Sequence, residues 1–114
     1  MIETIIMEAL ESATNAPAYM EVPEQAPKEF ITVERTGGGQ RGYQMRTATV
    51  AVRAYGESLY KAALLNEKIL NAMREIQYQE DSICTCELNS SYNYTDPTTK
   101  RYRYQSVFDL VYFA

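Results

Sequence analysis

Apolar residues Ile2, Ile5, Ile6, Ala9, Leu10 and Ala13 recur at three- and four-residue steps, so residues 2–13 predict an amphipathic helix. Asn15-Ala16-Pro17 ends it, because proline disfavours the helical conformation in the residue before it. Residues 18–22 read as a short strand, followed by a connection between Pro23 and Pro27. The period then drops to two. Residues 29–36 predict a strand with Ile31 and Val33 inward. Residues 44–55 predict another, with Ala48, Val50, Val52 and Ala54 on one face and Thr47, Thr49 and Arg53 on the other. The glycines at 37, 38, 39 and 42 between them predict a mobile loop. Gly56 breaks the second of these strands. Residues 57–77 return to the helical period, with Leu59, Ala62, Ala63, Ile69, Met73 and Ile76 drawing the buried stripe.

Two further strands, residues 83–93 and 101–113, complete the pattern, and their even-numbered positions complement each other. The first carries Cys84, Cys86, Leu88, Ser90, Tyr92 and Tyr94; the second carries Tyr102, Tyr104, Ser106, Phe108, Leu110 and Tyr112. Folding the chain about Thr98 sets Leu88 opposite Phe108, Ser90 opposite Ser106, Tyr92 opposite Tyr104 and Tyr94 opposite Tyr102. Small polar side chains then meet small polar ones, and aromatics meet aromatics. A slip of two residues keeps the face and breaks the matching, so the face is better determined than the offset.

The element order is α-β-β-β-α-β-β. Two helices cannot cover both sides of a five-stranded sheet, so they share one face of a mostly antiparallel sheet, giving a two-layer α+β sandwich. At 114 residues the chain is long enough for one domain, residues 1–114. Val107, Val111 and Phe113 then lie on the face away from the helices, opposite Asn89, Thr85 and Ile83. An uncovered antiparallel face is usually polar. A partly apolar one calls for a cover, from the chain itself or from a neighbouring subunit.

Composition and charge exclude several classes. A hydrophobic share of 46% and a charged share of 23% are ordinary for a globular protein. A net charge of −4 argues against a surface that grips nucleic acid throughout. No apolar run approaches the roughly 20 residues of a membrane span. Glu3, Glu8 and Glu11 within the first apolar pattern do not fit a secretion signal, which predicts a cytoplasmic origin. The glycosylation triplets Asn89-Ser90-Ser91 and Asn93-Tyr94-Thr95 then read as accidental. Cys84 and Cys86, neighbours on one strand face, are badly placed for a disulfide with each other. They form half a metal site, and the chain has no histidine to complete it, so both read as buried thiols with no metal expected.

The remaining motifs are weak. Gly37-x-Gly39-x-x-Gly42 matches a dinucleotide fingerprint as text, but leads into a strand instead of the helix whose amides would hold a pyrophosphate. Lys100-Arg101-Tyr102-Arg103-Tyr104 interleaves cations with aromatics, yet strand alternation puts the arginines and tyrosines on opposite faces. With no histidine, serines lacking an activating partner, and only Glu87 and Asp109 as a cross-strand carboxylate pair, no catalytic residue and no cofactor are expected. The chain reads as a protein that is not an enzyme.

Two stretches carry a resemblance. Arg46-Thr47-Ala48-Thr49-Val50-Ala51-Val52-Arg53-Ala54-Tyr55-Gly56-Glu57-Ser58-Leu59-Tyr60-Lys61-Ala62-Ala63 runs a strand into the long helix, and Leu88-Asn89-Ser90-Ser91-Tyr92-Asn93-Tyr94-Thr95-Asp96-Pro97-Thr98-Thr99-Lys100-Arg101-Tyr102-Arg103-Tyr104-Gln105 forms most of the hairpin. Both resemble the tail terminator, or tail completion, proteins of long-tailed bacteriophages and prophages. The resemblance implies a structural virion assembly protein that forms a homo-oligomeric ring of six and caps the tail tube. It implies contact with tube protein and with head or neck proteins, DNA passing through without being read, and a place in the virion tail or neck after assembly in the host cytoplasm. A head-closure or connector protein at the phage neck is one alternative, and a small cytoplasmic ligand-binding domain is another. The residues expected at subunit or partner contacts are Val107, Val111 and Phe113 on the outer sheet face, with Arg41, Arg101 and Arg103 as polar fasteners. The glycine segment 37–42 and the hairpin tip 95–100 are expected to become ordered on contact.

Overall fold

The structure, a computed structural model, describes residues 1–113. Helix α1 (Ile2–Thr14) is followed by strands β1 (Ala18–Tyr19), β2 (Phe30–Gln40) and β3 (Met45–Tyr55), helix α2 (Leu59–Gln79), and strands β4 (Ile83–Asn93) and β5 (Arg103–Phe113). The expected α+β order is found. The five strands lie in the order β1-β2-β3-β5-β4, antiparallel throughout except where β1 runs parallel to β2. Ile6 and Leu10 of α1 and Leu65, Ile69, Met73 and Ile76 of α2 pack with Ile31, Val33, Val50, Val52, Phe108 and Leu110 in one core. Both helices therefore cover the same face of the sheet.

Local chemistry sets the element ends. Asn15 takes a left-handed conformation (φ 61°) and its amide bonds to the Glu11 carbonyl at 3.0 Å, closing α1. The Ser58 hydroxyl accepts the Lys61 amide at 3.1 Å and caps α2. Gly56 makes the sharp entry possible, since a Cβ there would lie 2.6 Å from the Ala62 nitrogen. The α2 stripe differs from the periodicity at its first turn: Leu59 is exposed and Ala63 half-buried, while Leu65 and Asn66 are buried.

The glycine segment is not the expected loop. Gly37, Gly38 and Gly39 continue β2, opposite Thr49, Ala48 and Thr47, and only residues 41–44 turn the chain. A register shift between Arg35 and Gly37 precedes them. A Cβ on Gly38 (φ 155°) would lie 2.5 Å from the Thr47 carbonyl oxygen, so close backbone approach explains that glycine where mobility does not. The hairpin tip also has anchors. Asn93 Oδ1 accepts the Thr95 amide at 3.0 Å, and Asp96 Oδ1 accepts the Thr98 amide at 2.9 Å. The Thr98 amide is the main cause holding the exposed Asp96 carboxyl below its ordinary range.

The β4–β5 register agrees with the sequence as far as Leu88 opposite Phe108, and then shifts. An irregularity at Asn89 places Ser91, not Ser90, opposite Ser106, and sets Tyr92 opposite Gln105 instead of Tyr104. A second shift at Cys84 keeps Ile83 in the core, opposite Tyr112 and not Phe113. It also separates the two thiols. Cys84 is exposed, while Cys86 packs against the core.

Polar chemistry explains the shift at Asn89. Ser106 is buried at the centre of β5; its hydroxyl lies 2.8 Å from Ser91 Oγ and donates to Asn66 Oδ1 at 2.8 Å. Asn66 Nδ2 donates to Ser91 Oγ at 3.0 Å, closing a triangle among α2, β4 and β5. The bulge brings Ser91 into that triangle.

Ile69 is fully buried between α2 and the sheet. Ile69→Asp would strand a carboxylate there, and urea denaturation is expected to show a loss of about 3–5 kcal/mol or outright failure to fold. A variant melting like the parent would show that the helix does not use this face.

Candidate assembly surface

The outer sheet face divides into two halves of different character. At the end nearest the β4–β5 tip, Phe30 stacks on Tyr55 with ring centroids 4.3 Å apart, and Tyr19 meets Phe30 edge-on at 6.1 Å. The Arg103 guanidinium lies 4.6 Å from the Tyr94 ring centroid and 5.9 Å from that of Tyr55, and its Nε donates to the Tyr94 carbonyl at 2.7 Å. Beside it, Arg53 pairs with Glu34 at 3.0 Å and donates through Nε to Gln105 Oε1 at 2.7 Å. Gln105 in turn donates to the Tyr92 hydroxyl. This half satisfies itself. Arg103, expected as an intermolecular fastener, makes these contacts within the subunit and so acts there as a clamp.

The other half lacks such cover. Val107 and Val111 are half-buried on either side of the row that carries Asp109, with Ala51 opposite Val107. Glu87 does lie opposite Asp109, as the sequence suggested. Asp109 accepts Thr49 Oγ1 at 3.1 Å and Asn89 Nδ2 at 3.0 Å. Arg41 and Val111 border one shallow hollow with Thr47, Thr85 and Glu87. Phe113, 47% exposed, stands at the end of the sheet beside Met1, Ile5, Arg35 and Arg46. Arg101 is exposed at the opposite end, near the hairpin tip. The structure thus brings Val111 and Arg41 to one hollow, with Val107 on the same face beyond Asp109, and holds Phe113, Arg101 and Arg103 apart from it.

Sheet edges form the part of the surface that residue patterns did not reveal. β4 is an outer strand along its whole length, and its sequence, ICTCELNSSYN, contains no lysine, arginine or proline. β1 pairs with β2 only at Ile31 and Thr32, leaving the exposed stretch from Glu34 to Gln40 unpaired on that side. Long free edges expose rows of amide and carbonyl groups that can pair with another chain. Strand order supplies this information, and a single sequence does not.

Among the described residues, no group of three or more His, Cys, Asp or Glu side chains could hold a metal ion. No described helix is long and apolar enough to cross a membrane. Compared with known proteins, the chain matches no protein-family model and no curated protein.

Two expectations follow from this geometry. Arg103→Ala removes two hydrogen bonds and two ring contacts, and is expected to lower unfolding stability by about 1–2 kcal/mol. Arg101→Ala should stay within about 0.5 kcal/mol of the parent, and equal losses for both would contradict the clamp. The second concerns Cys86, whose thiol burial pushes up to about 12 from its ordinary 9.0, helped by Asp109 and Glu87. The unfolded chain ionises this thiol first, so the stability tied to the neutral thiol is complete below pH 9.0 and lost as pH rises toward about 12. Denaturation series should show Cys86→Ala losing less stability than the parent across that window. In native protein, alkylation should modify Cys84 and spare Cys86.

Proposed function

We propose that this chain is a structural virion assembly protein: a tail terminator that closes into a homomeric ring of six and caps the end of a phage tail tube. The observation that carries this reading is the placement of the two family-like stretches. One forms β3 and its turn into α2, the other forms most of the β4–β5 hairpin. The first stretch pairs, through Ala51 and Thr47 of β3, with Val107 and Val111 of β5, which follow the second stretch and keep their outer-face side chains without an intramolecular cover. Arg41 borders the same hollow as Val111. Partly apolar surface with a flanking cation suits contact with another protein on an acidic chain. Arg101 and Phe113, at the two ends of the sheet, extend that contact toward tube and head. A closed ring ends growth, whereas an open head-to-tail contact would continue as a filament. Neighbours held together on a tube end make weak contacts effective, so the tube serves as template for the ring.

The test deletes the gene from its phage or prophage and examines the lysate by electron microscopy. Overlong, headless tails beside filled heads are expected. Tails of normal length would overturn the terminator reading and favour head closure at the neck.

A further inference from the structure

Across the sheet, residues fall into continuous rows, including Gly38–Ala48–Leu110–Cys86, Gly37–Thr49–Asp109–Glu87 and Glu34–Ala51–Val107–Ser90. The rows place the uncovered stretch of β2 level with the first two-thirds of β4. The four long strands alternate in direction, so a second copy set beside β4 with the same orientation offers β2 antiparallel to it. The hydrogen-bonding phase also agrees. The Cys86 amide points off the free edge of β4, where Gln77 Oε1 from α2 accepts it at 3.1 Å. The Ile31 amide points off the free edge of β2, donating to the Pro17 carbonyl at 2.9 Å. The rows of these two residues are an even number of steps apart, so both edges present their amides and carbonyls in the same rows.

Glycine placement gives an independent indication. Gly38 is required by its own sheet, as the 2.5 Å approach of the Thr47 oxygen shows. Gly37 and Gly39 are not. A Cβ on either would meet only Thr49 at 3.9 Å or Thr47 at 3.7 Å, which is ordinary contact, and neither has a positive φ. Both glycines weaken the strand that contains them. What they provide is an edge bare of side chains, open to another backbone.

We infer that copies of this chain join edge to edge, the Ile83–Ser90 stretch of β4 in one copy adding to the Glu34–Gln40 stretch of β2 in the next. The Gly38 carbonyl of the added strand takes the place of Gln77 Oε1 at the Cys86 amide. The contact is heterologous, head to tail, and continues the sheet from copy to copy. It leaves the outer face, with Val107 and Val111, for a different partner. The inference deepens the ring reading, because it supplies the subunit contact that a ring requires.

Disulfide trapping in the purified full chain tests it. In a Cys84→Ser background, Gly37→Cys and Glu87→Cys are combined, since their row sets them as a directly opposed pair across the new ladder with the short Cα separation a disulfide needs. Gly39→Cys with Glu87→Cys covers the two-residue offset that a tilted, closed sheet introduces. Unchanged melting of each variant confirms folding before oxidation. One double variant is expected to give a ladder of covalent oligomers on non-reducing gels, ending at one closed size, while each single variant stays monomeric. Dimers from Glu87→Cys alone would show two-fold β4–β4 pairing and overturn the inference, as would monomers from both double variants. The outcome is separable from the tail-length phenotype: a ladder with normal tails keeps this contact and removes the terminator role, and overlong tails without a ladder do the reverse.

Discussion

Ser106 lies in the middle of β5 with no access to water, and its hydroxyl must find partners inside the fold. Asn66 and Ser91 supply them, one from α2 and one from β4. Losing such a partner leaves a buried polar group unpaired, at about 1–3 kcal/mol. This requirement fixes the rotation of α2 over the sheet and the register of β4 below the bulge. It also determines the far side of the sheet. Because Ser91 turns inward, Tyr92 turns outward and meets Gln105, which anchors Arg53. A hydroxyl on the helix face thereby organises the aromatic and cationic network on the opposite face.

That network explains why the two halves of the outer face behave differently. Arginine is well suited to lie over aromatic rings while donating in its own plane, and Arg103 does both at once. The rings of Phe30 and Tyr55 are buried without any helix over them. Toward the other end, Asp109 is satisfied by neutral donors from Thr49 and Asn89, and valines replace the rings. One half closes on itself, and the other keeps its surface available.

Much of the scaffold could be read in the sequence because it rests on periodicity. Residues 83–93 match β4, the inward set Ala48, Val50, Val52 and Ala54 is buried as predicted, and α1 ends where Asn15 and Pro17 indicate. The errors share a cause: each depends on a partner far along the chain. Asn66 looks like a solvated helix residue until Ser91 and Ser106 are brought to it. The shift at Asn89 keeps strand character and changes only the parity, so alternation alone cannot find it. Gly37–Gly39 form a strand because β3 offers a ladder, overriding their own flexibility. On the outer sheet face, the placement of Val107 and Val111 was legible; the contacts of Arg103 within the subunit and the open edges were not, since both follow from strand order.

The last strand in the sequence is not the last in the sheet. β5 lies between β3 and β4, so among the described residues it carries the only strand-to-strand connection between the β1-β2-β3 part and β4. As the chain emerges from the ribosome, α1 and the first three strands can assemble early. β4 has no place to pair until β5 has been made. A chain that stops short of residue 103 loses the middle of its sheet, leaving β3 with a bare apolar edge and β4 adrift. The full-length edge of β4 therefore comes into being only when β5 docks between the two parts of the sheet.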